Sequence, residues 1–125
     1  MTKPINTLKA PAAIGPYSQG ILAGSFVFTS GQLPIEAESG KLEAADIKKA
    51  AEISINNCKA ILEAGGASLK NVVKTTVFLT DLNDFTSVNE VYERYFPQNP
   101  PARSCFQVAA LPKGAKIEIE MTAFI

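Results

Sequence analysis

Hydrophobic positions recur along the chain with two different periods. Ile47, Ala51, Ile55, Cys58 and Leu62 are spaced by three and four residues, which places them on one face of a helix. Asp46 stands before this run as an N-cap and Gly65-Gly66 follow it, so a helix is predicted from about Asp46 to Ala64. Phe85, Val88, Tyr92 and Tyr95 mark a second helix, preceded by a turn over Asp81 to Asp84 and stopped by Pro97 and Pro100-Pro101. The remaining apolar stretches read as strands. Val72 to Leu79 is rich in Val, Thr and Phe. Lys116 to Ile125 alternates: Ile117, Ile119, Met121 and Ala123 share one face, and Lys116, Glu118, Glu120 and Thr122 the other. Ser104 to Leu111 is a strand leading into a turn at Pro112-Lys113-Gly114. Ser18 to Ala23 and Phe26 to Ser30 form a hairpin through Gly24-Ser25. Residues 1–14, broken by Pro4 and Pro11, read as an irregular lead-in, and Leu33 to Ala44 as a loop.

The predicted order is strand, strand, helix, strand, helix, strand, strand. Helical crossovers imply neighbouring parallel strands with right-handed connections, and the hairpins add antiparallel pairs. The expected class is α+β, a mixed sheet carrying two helices on one face. Nothing in the chain is left to cover the other face. Phe124, Phe106, Phe28 and Val77 are assigned to that surface, which is too apolar for water and predicts an oligomer. At 125 residues the chain reads as one domain spanning 1–125, long enough to bury roughly 67% of its unfolded surface.

Composition narrows the chemistry. Lys plus Arg equals Asp plus Glu at 12 each, so the formal charge is zero. A protein that neutralises phosphates usually carries a basic excess, so no nucleic acid is expected as main ligand. There is no histidine, which removes Ser-His-Asp and Cys-His catalysis and His-based zinc sites. The two cysteines, Cys58 and Cys105, lie far apart and form no CxxC; each reads first as a small buried hydrophobe in a reducing, cytoplasmic setting. No apolar run approaches the length of a membrane span. The N-terminal MTKPINTLKAP has no apolar core of a signal segment.

A few residues remain as candidates for chemistry. Gly15 to Gly20 has the G-x4-G spacing of a phosphate loop, but Ile21 and Leu22 follow where Lys and Ser or Thr are required. Arg94 has Glu90 four residues earlier, an expected surface pair. Arg103 has no such local partner and opens a strand after two prolines. Its planar fork suits a structural ion pair or a clamp on a ligand carboxylate. Glu118 and Glu120 are about 6.8 Å apart on one strand face. That pair suits a solvated sheet face, and equally a carboxylate that positions water and accepts its proton. Tyr17, after Gly15-Pro16, offers a phenol or a packing anchor. Gly31, after Ser30, allows close backbone approach to a ligand or a bulge.

Longer stretches resemble a known family. Ala12-Ala13-Ile14-Gly15-Pro16-Tyr17-Ser18-Gln19-Gly20, Thr29-Ser30-Gly31-Gln32, Val73-Lys74-Thr75-Thr76-Val77-Phe78, Asp81-Leu82, Val88-Asn89, Pro101-Ala102-Arg103-Ser104 and Ile117-Glu118-Ile119-Glu120 are similar to the RidA or YjgF-like proteins. These are the reactive enamine/imine deaminases. Phe106 stands where Val is common in the family, and Ala110 where Arg is common. The resemblance implies a chorismate-mutase-like fold, a homotrimer with a central barrel, and clefts between subunits. It implies hydrolysis of 2-aminoacrylate-type enamines or their 2-imino acid tautomers (2-iminopropanoate, 2-iminobutanoate) to 2-oxo acids and ammonia, without a cofactor or metal. Residue by residue, it implies Arg103 as the cation for the substrate carboxylate and Glu118 as the base that positions water. Tyr17, Ser30, Gly31, Asn89 and the Cys105 backbone would line the cleft. The alternatives are a non-catalytic module for small carboxylates, disfavoured by Arg103, and an RNA-acting translation inhibitor, disfavoured by zero charge and the lack of histidine.

Overall fold

The computed structural model describes all 125 residues. Six strands, β1 (Thr2–Ile5), β2 (Gly20–Ala23), β3 (Phe26–Thr29), β4 (Val72–Leu79), β5 (Ala102–Gln107) and β6 (Ile117–Phe124), form one sheet in the order β1-β2-β3-β6-β4-β5. Two helices, α1 (Ile47–Ala64) and α2 (Phe85–Tyr95), complete the architecture. The α+β class and both helix spans are as expected. Asp46 caps α1, its carboxylate accepting from the backbone N–H groups of Lys48 and Lys49 at 3.0 and 3.2 Å. The β2–β3 turn has Gly24 at φ +60, a conformation that costs glycine little.

The connectivity departs from expectation in three places. First, β4 and β5 are parallel neighbours, but β3 and β4 are not adjacent, because β6 lies between them and runs antiparallel to both. Second, β5 and β6 therefore do not form a hairpin; β5 takes the sheet edge beyond β4. β5 also begins and ends earlier than expected. Its pairing runs from Lys74↔Ala102 to Leu79↔Gln107 and stops where β4 stops. Third, the lead-in contains a strand: β1 pairs antiparallel with β2, Thr2 opposite Ala23 through Ile5 opposite Gly20. Pro4 is compatible with it because β1 is an edge strand, where one face of the ladder needs no donor.

The core is a cluster of 21 buried residues between the sheet and the helices. Val77, Leu79, Ile117, Ile119, Met121 and Ala123 supply the sheet side, and Ala51, Ile55, Cys58, Leu62, Val88 and Val91 the helix side. Val77 is fully buried in this layer, so its assignment to the open face was wrong; Phe78, the next residue, faces the other way. Cys58 is the small buried hydrophobe expected, its thiol donating to the Ile119 carbonyl at 3.3 Å and pushed up to about 12 by burial. The open face carries the exposed rings of Phe26, Phe28, Phe106 and Phe124. Phe26 packs on Phe124 with ring centroids 5.1 Å apart, and Phe78 meets Phe106 edge-on at 5.2 Å.

The helices pair charges across their interface instead of along one helix. Arg94 reaches Glu52 at 3.1 Å and Lys48 reaches Glu90 at 2.6 Å. The expected Arg94–Glu90 pair is absent because α1 lies alongside α2 and offers both residues a nearer partner. Exposed pairs of this kind contribute little; the packed layer holds the helices. Replacing Ile119, fully buried on the strand between β3 and β4, should therefore be costly. Ile119→Ala is expected to destabilise by about 2–5 kcal/mol, read as a lower urea midpoint at fixed protein concentration with an unchanged slope.

Candidate functional site

Two cavities collect the residues expected at the site, each a different subset, except Cys105, which lines neither. The first, about 530 Å³, is lined by Tyr17, Ser30, Gly31 and Glu118, with Ile14, Leu33 and Ile35 among its apolar walls. Its walls are loops, and buried polar side chains hold them. Gln19 accepts from the Thr7 N–H at 2.6 Å and donates through Nε2 to the carbonyls of Thr7, Ala10 and Pro11 at 3.0, 3.2 and 2.8 Å. Asn57 on α1 donates to the carbonyls of Leu33 and Ile35 at 3.2 and 2.8 Å. Neither residue was singled out from the sequence; a lone amide in a glycine-rich stretch or on a helix carries no local signal of what it will hold.

Within this cavity Ser30 donates its hydroxyl to the Ser18 carbonyl at 2.6 Å, which leaves the oxygen lone pairs for a ligand donor. Gly31 packs directly against the Glu118 side chain. A Cβ at Gly31 would stand 2.7 Å from the Glu118 Cδ, so a side chain there would displace the carboxylate. Gly31 thus provides close approach, and it also lies where the register against β6 slips by one residue, from Phe28 opposite Thr122 to Gln32 opposite Ile119. Glu118 is half-buried, and its carboxyl is raised above the usual carboxylate range first by burial and then by the charge of Glu120 on the same strand face. Tyr17 remains half-exposed at the rim.

The second cavity, about 540 Å³, contains Arg103 and Asn89, with Tyr92 beside them. Arg103 Nη1 donates to the Asn89 Oδ1 at 2.8 Å. Its guanidinium carbon lies 4.8 Å from the Tyr92 ring centroid and 5.4 Å from that of Phe85. The ion pairs of the chain are Lys48–Glu90, Lys49–Glu43 and Arg94–Glu52; Arg103 has none. Of the two roles open to it from sequence, the structural ion pair is not formed. Cys105, two residues further along β5, is half-buried, and its thiol is raised by burial despite the opposing pull of Arg103. It stays protonated at neutral pH and is a poor nucleophile.

The two cavities do not join. Phe78 sits opposite Glu118 and Thr75 opposite Arg103. Residues three apart on a strand point to opposite faces, so Glu118 projects from the open face and Arg103 from the helix side. One copy of the chain holds the carboxylate and the guanidinium on different sides of its sheet. No group of three His, Cys, Asp or Glu side chains converges anywhere, so the donor set offers no metal cradle.

Residues 7–125 match the family model described as Endoribonuclease L-PSP. The chain belongs to the L-PSP family, the RidA/YjgF proteins. It is 52% identical to the 2-iminobutanoate/2-iminopropanoate deaminase of Salmonella typhimurium over 126 residues, 98% of each chain. It is 50% identical to the human protein of the same name over 119 residues, 95% of this chain and 87% of the human one. The crystal structure of Escherichia coli TdcF with bound serine superposes with a TM-score of 0.95 at 50% identity, covering 98% of each chain. Membership in the family was legible from the motif stretches quoted above, which run through both cavities.

Glu118 also makes a stability prediction. Its folded carboxyl is raised above the unfolded value, so ionising it opposes folding. That cost is absent below the unfolded value near pH 4 and full above the folded one. Glu118→Gln is expected to melt higher than the parent at pH 7–8. The advantage should shrink on acidification and vanish below about pH 4, where both states of the parent are protonated. A variant less stable than the parent at neutral pH would contradict the burial assigned to this carboxylate.

Proposed function

We propose that the protein is a hydrolytic deaminase of 2-imino acids and their enamine tautomers, yielding 2-oxo acids and ammonia. The observation that carries this reading is an arginine with no carboxylate partner, Arg103, paired by sequence family with a half-buried glutamate of raised pKa, Glu118. The names of the half-identical relatives support it. A 2-imino acid brings a carboxylate for the guanidinium fork. Its imine carbon needs water. In this reading Glu118 accepts a proton from that water as oxygen attacks the carbon. It passes that proton to the imine nitrogen as the carbinolamine forms; on collapse the hydroxyl proton moves to nitrogen by the same carboxylate while the C–N bond breaks, giving the carbonyl and ammonia. A carboxyl raised towards the working pH is a better base than an ordinary one. Tyr17, Ser30, Gly31 and Asn89 would line the cleft, with the Cys105 backbone beside them.

We further propose a homotrimer in which the Arg103 cavity of one copy faces the Glu118 cavity of the next, with the open sheet faces forming a central barrel. The placement of the two groups on opposite faces supports it, as do the exposed rings of Phe26, Phe28, Phe106 and Phe124. No helix is long and apolar enough to cross a membrane. Two free cysteines, one buried and one half-buried, support the cytoplasmic setting. A ribonuclease reading has the family description in its favour, but zero formal charge and no histidine leave little to bind and cleave a phosphodiester.

The test couples the protein to a pyridoxal-phosphate threonine dehydratase and follows 2-oxobutanoate release. The wild type should accelerate release; an unchanged rate would leave a carboxylate-binding module. Arg103→Ala and Glu118→Gln should each abolish the acceleration while sedimenting as trimers. If the site is shared, co-refolding the two variants in equal amounts should restore about a quarter of wild-type activity, because random assembly pairs two intact halves in that fraction of clefts. No recovery on mixing would confine the site to one chain.

A further inference from the structure

We infer that Tyr92, fastened at its hydroxyl by Thr75, is the positioning residue that aims the Arg103 guanidinium at the substrate carboxylate. The inference rests on the reading of Arg103 as the carboxylate clamp. An arginine is usually oriented by an acidic partner, but that partner also consumes the charge. A substrate carboxylate would then have to compete with it. Around Arg103 every restraint is uncharged. The Tyr92 ring lies under the guanidinium at 4.8 Å, Phe85 stands at 5.4 Å, and the Asn89 carbonyl oxygen takes one N–H at 2.8 Å. The rings fix the plane and the amide fixes the rotation within it. A guanidinium has five N–H donors, so donors remain for a ligand and the full positive charge is kept.

The ring is itself held. Thr75 Oγ1 and the Tyr92 hydroxyl are 2.8 Å apart in a buried hydrogen bond, and Tyr92 packs on Phe96 with centroids 4.7 Å apart. Thr75 is also the strand neighbour of Arg103 in the β4–β5 register. One residue therefore grips both the backbone that carries the arginine and the ring that supports its head. Burial raises the Tyr92 phenol above its ordinary value, so at neutral pH it presents a neutral π face and not a phenolate. Stacking of this kind contributes modestly at exposed sites and more when desolvated.

A clamp on a carboxylate that does not react holds ground state and transition state alike, so weakening it raises KM without lowering kcat. Tyr92→Leu is expected to raise the Kd of the product 2-oxobutanoate, and KM in the coupled assay, by about tenfold, with kcat within about twofold. Tyr92→Phe, which keeps the ring, should recover most of that loss although it breaks the bond to Thr75 and lowers the melting temperature. In the wild type, the Arg103 Nε–H proton should resonate upfield of that of Arg94, shifted by the ring current; with only two arginines in the chain, Arg103→Ala assigns it. Unchanged Kd and KM in folded Tyr92→Leu would overturn the positioning role. So would an unshifted Arg103 resonance in the wild type, a measurement that holds even if the leucine variant does not fold. Normal turnover by Arg103→Ala would instead sink the clamp itself.

Discussion

Strict alternation of side chains along β4, β5 and β6 governs what this molecule can do. The register that buries Val77, Ile117 and Ile119 under the helices sends Glu118 to the open face and keeps Arg103 on the helix side. A slip of one residue would exchange the two and at the same time expose the core. Hydrophobic burial thus enforces the separation of the two charged groups. The cost of moving Glu118 is the cost of turning the layer of Ile117, Ile119 and Met121 into water, on the order of 1.5–3 kcal/mol for each side chain.

Each cavity holds one charged side chain to which the fold brings no opposite charge. Arg103 is half-buried without an acidic partner, and Glu118 is half-buried beside a second carboxylate. Neutral groups surround the arginine, Asn89, Tyr92 and Phe85, and the bare backbone of Gly31 leaves room for the glutamate. In the proposed clamp, an anion whose carboxylate met the guanidinium would draw on charge that the fold has left without an acidic partner.

Local signals and non-local ones were unequally readable in the chain. Helix α1 was legible to the residue, because Asp46, the apolar period and Gly65-Gly66 are all local. So was β4, and the alternating β6 to within one residue at each end. Strand order was not. Nothing within β6 states that it inserts between β3 and β4, since eight alternating residues pair equally well with either neighbour of an antiparallel sheet. β1 escaped because four residues with a single buried side chain, Ile5, show no period. Arg94 and Glu90 found partners on α1 for the same reason: helix–helix packing is not written in the i,i+4 spacing. At the site, Arg103, Glu118, Ser30 and Gly31 were recognisable through motif stretches. Gln19, Asn57 and Tyr92 act through neighbours up to 24 residues away, and their residue types alone carry no sign of it.

The geometry of two different half-sites also constrains the symmetry of any assembly that joins them. In a two-fold dimer one patch meets its own copy, residue i against j and j against i, so such a contact could join Arg103 to Glu118 only if both lay in that one patch, and they project from opposite faces of the sheet. A cleft that needs one of each requires a heterologous contact, with one surface of a copy against a different surface of the next. Such contacts either close into a ring or run on as a filament. The proposed trimer is the closed case. The open sheet face of each copy is lined by Phe26, Phe28, Phe106 and Phe124, and a ring can turn all these faces inward at once. A filament would leave its two end copies with apolar rings in water and half-sites unfilled. The proposed homotrimer is a ring of this kind, in which three equivalent heterologous contacts would answer both the hydrophobic face and the charge pairing.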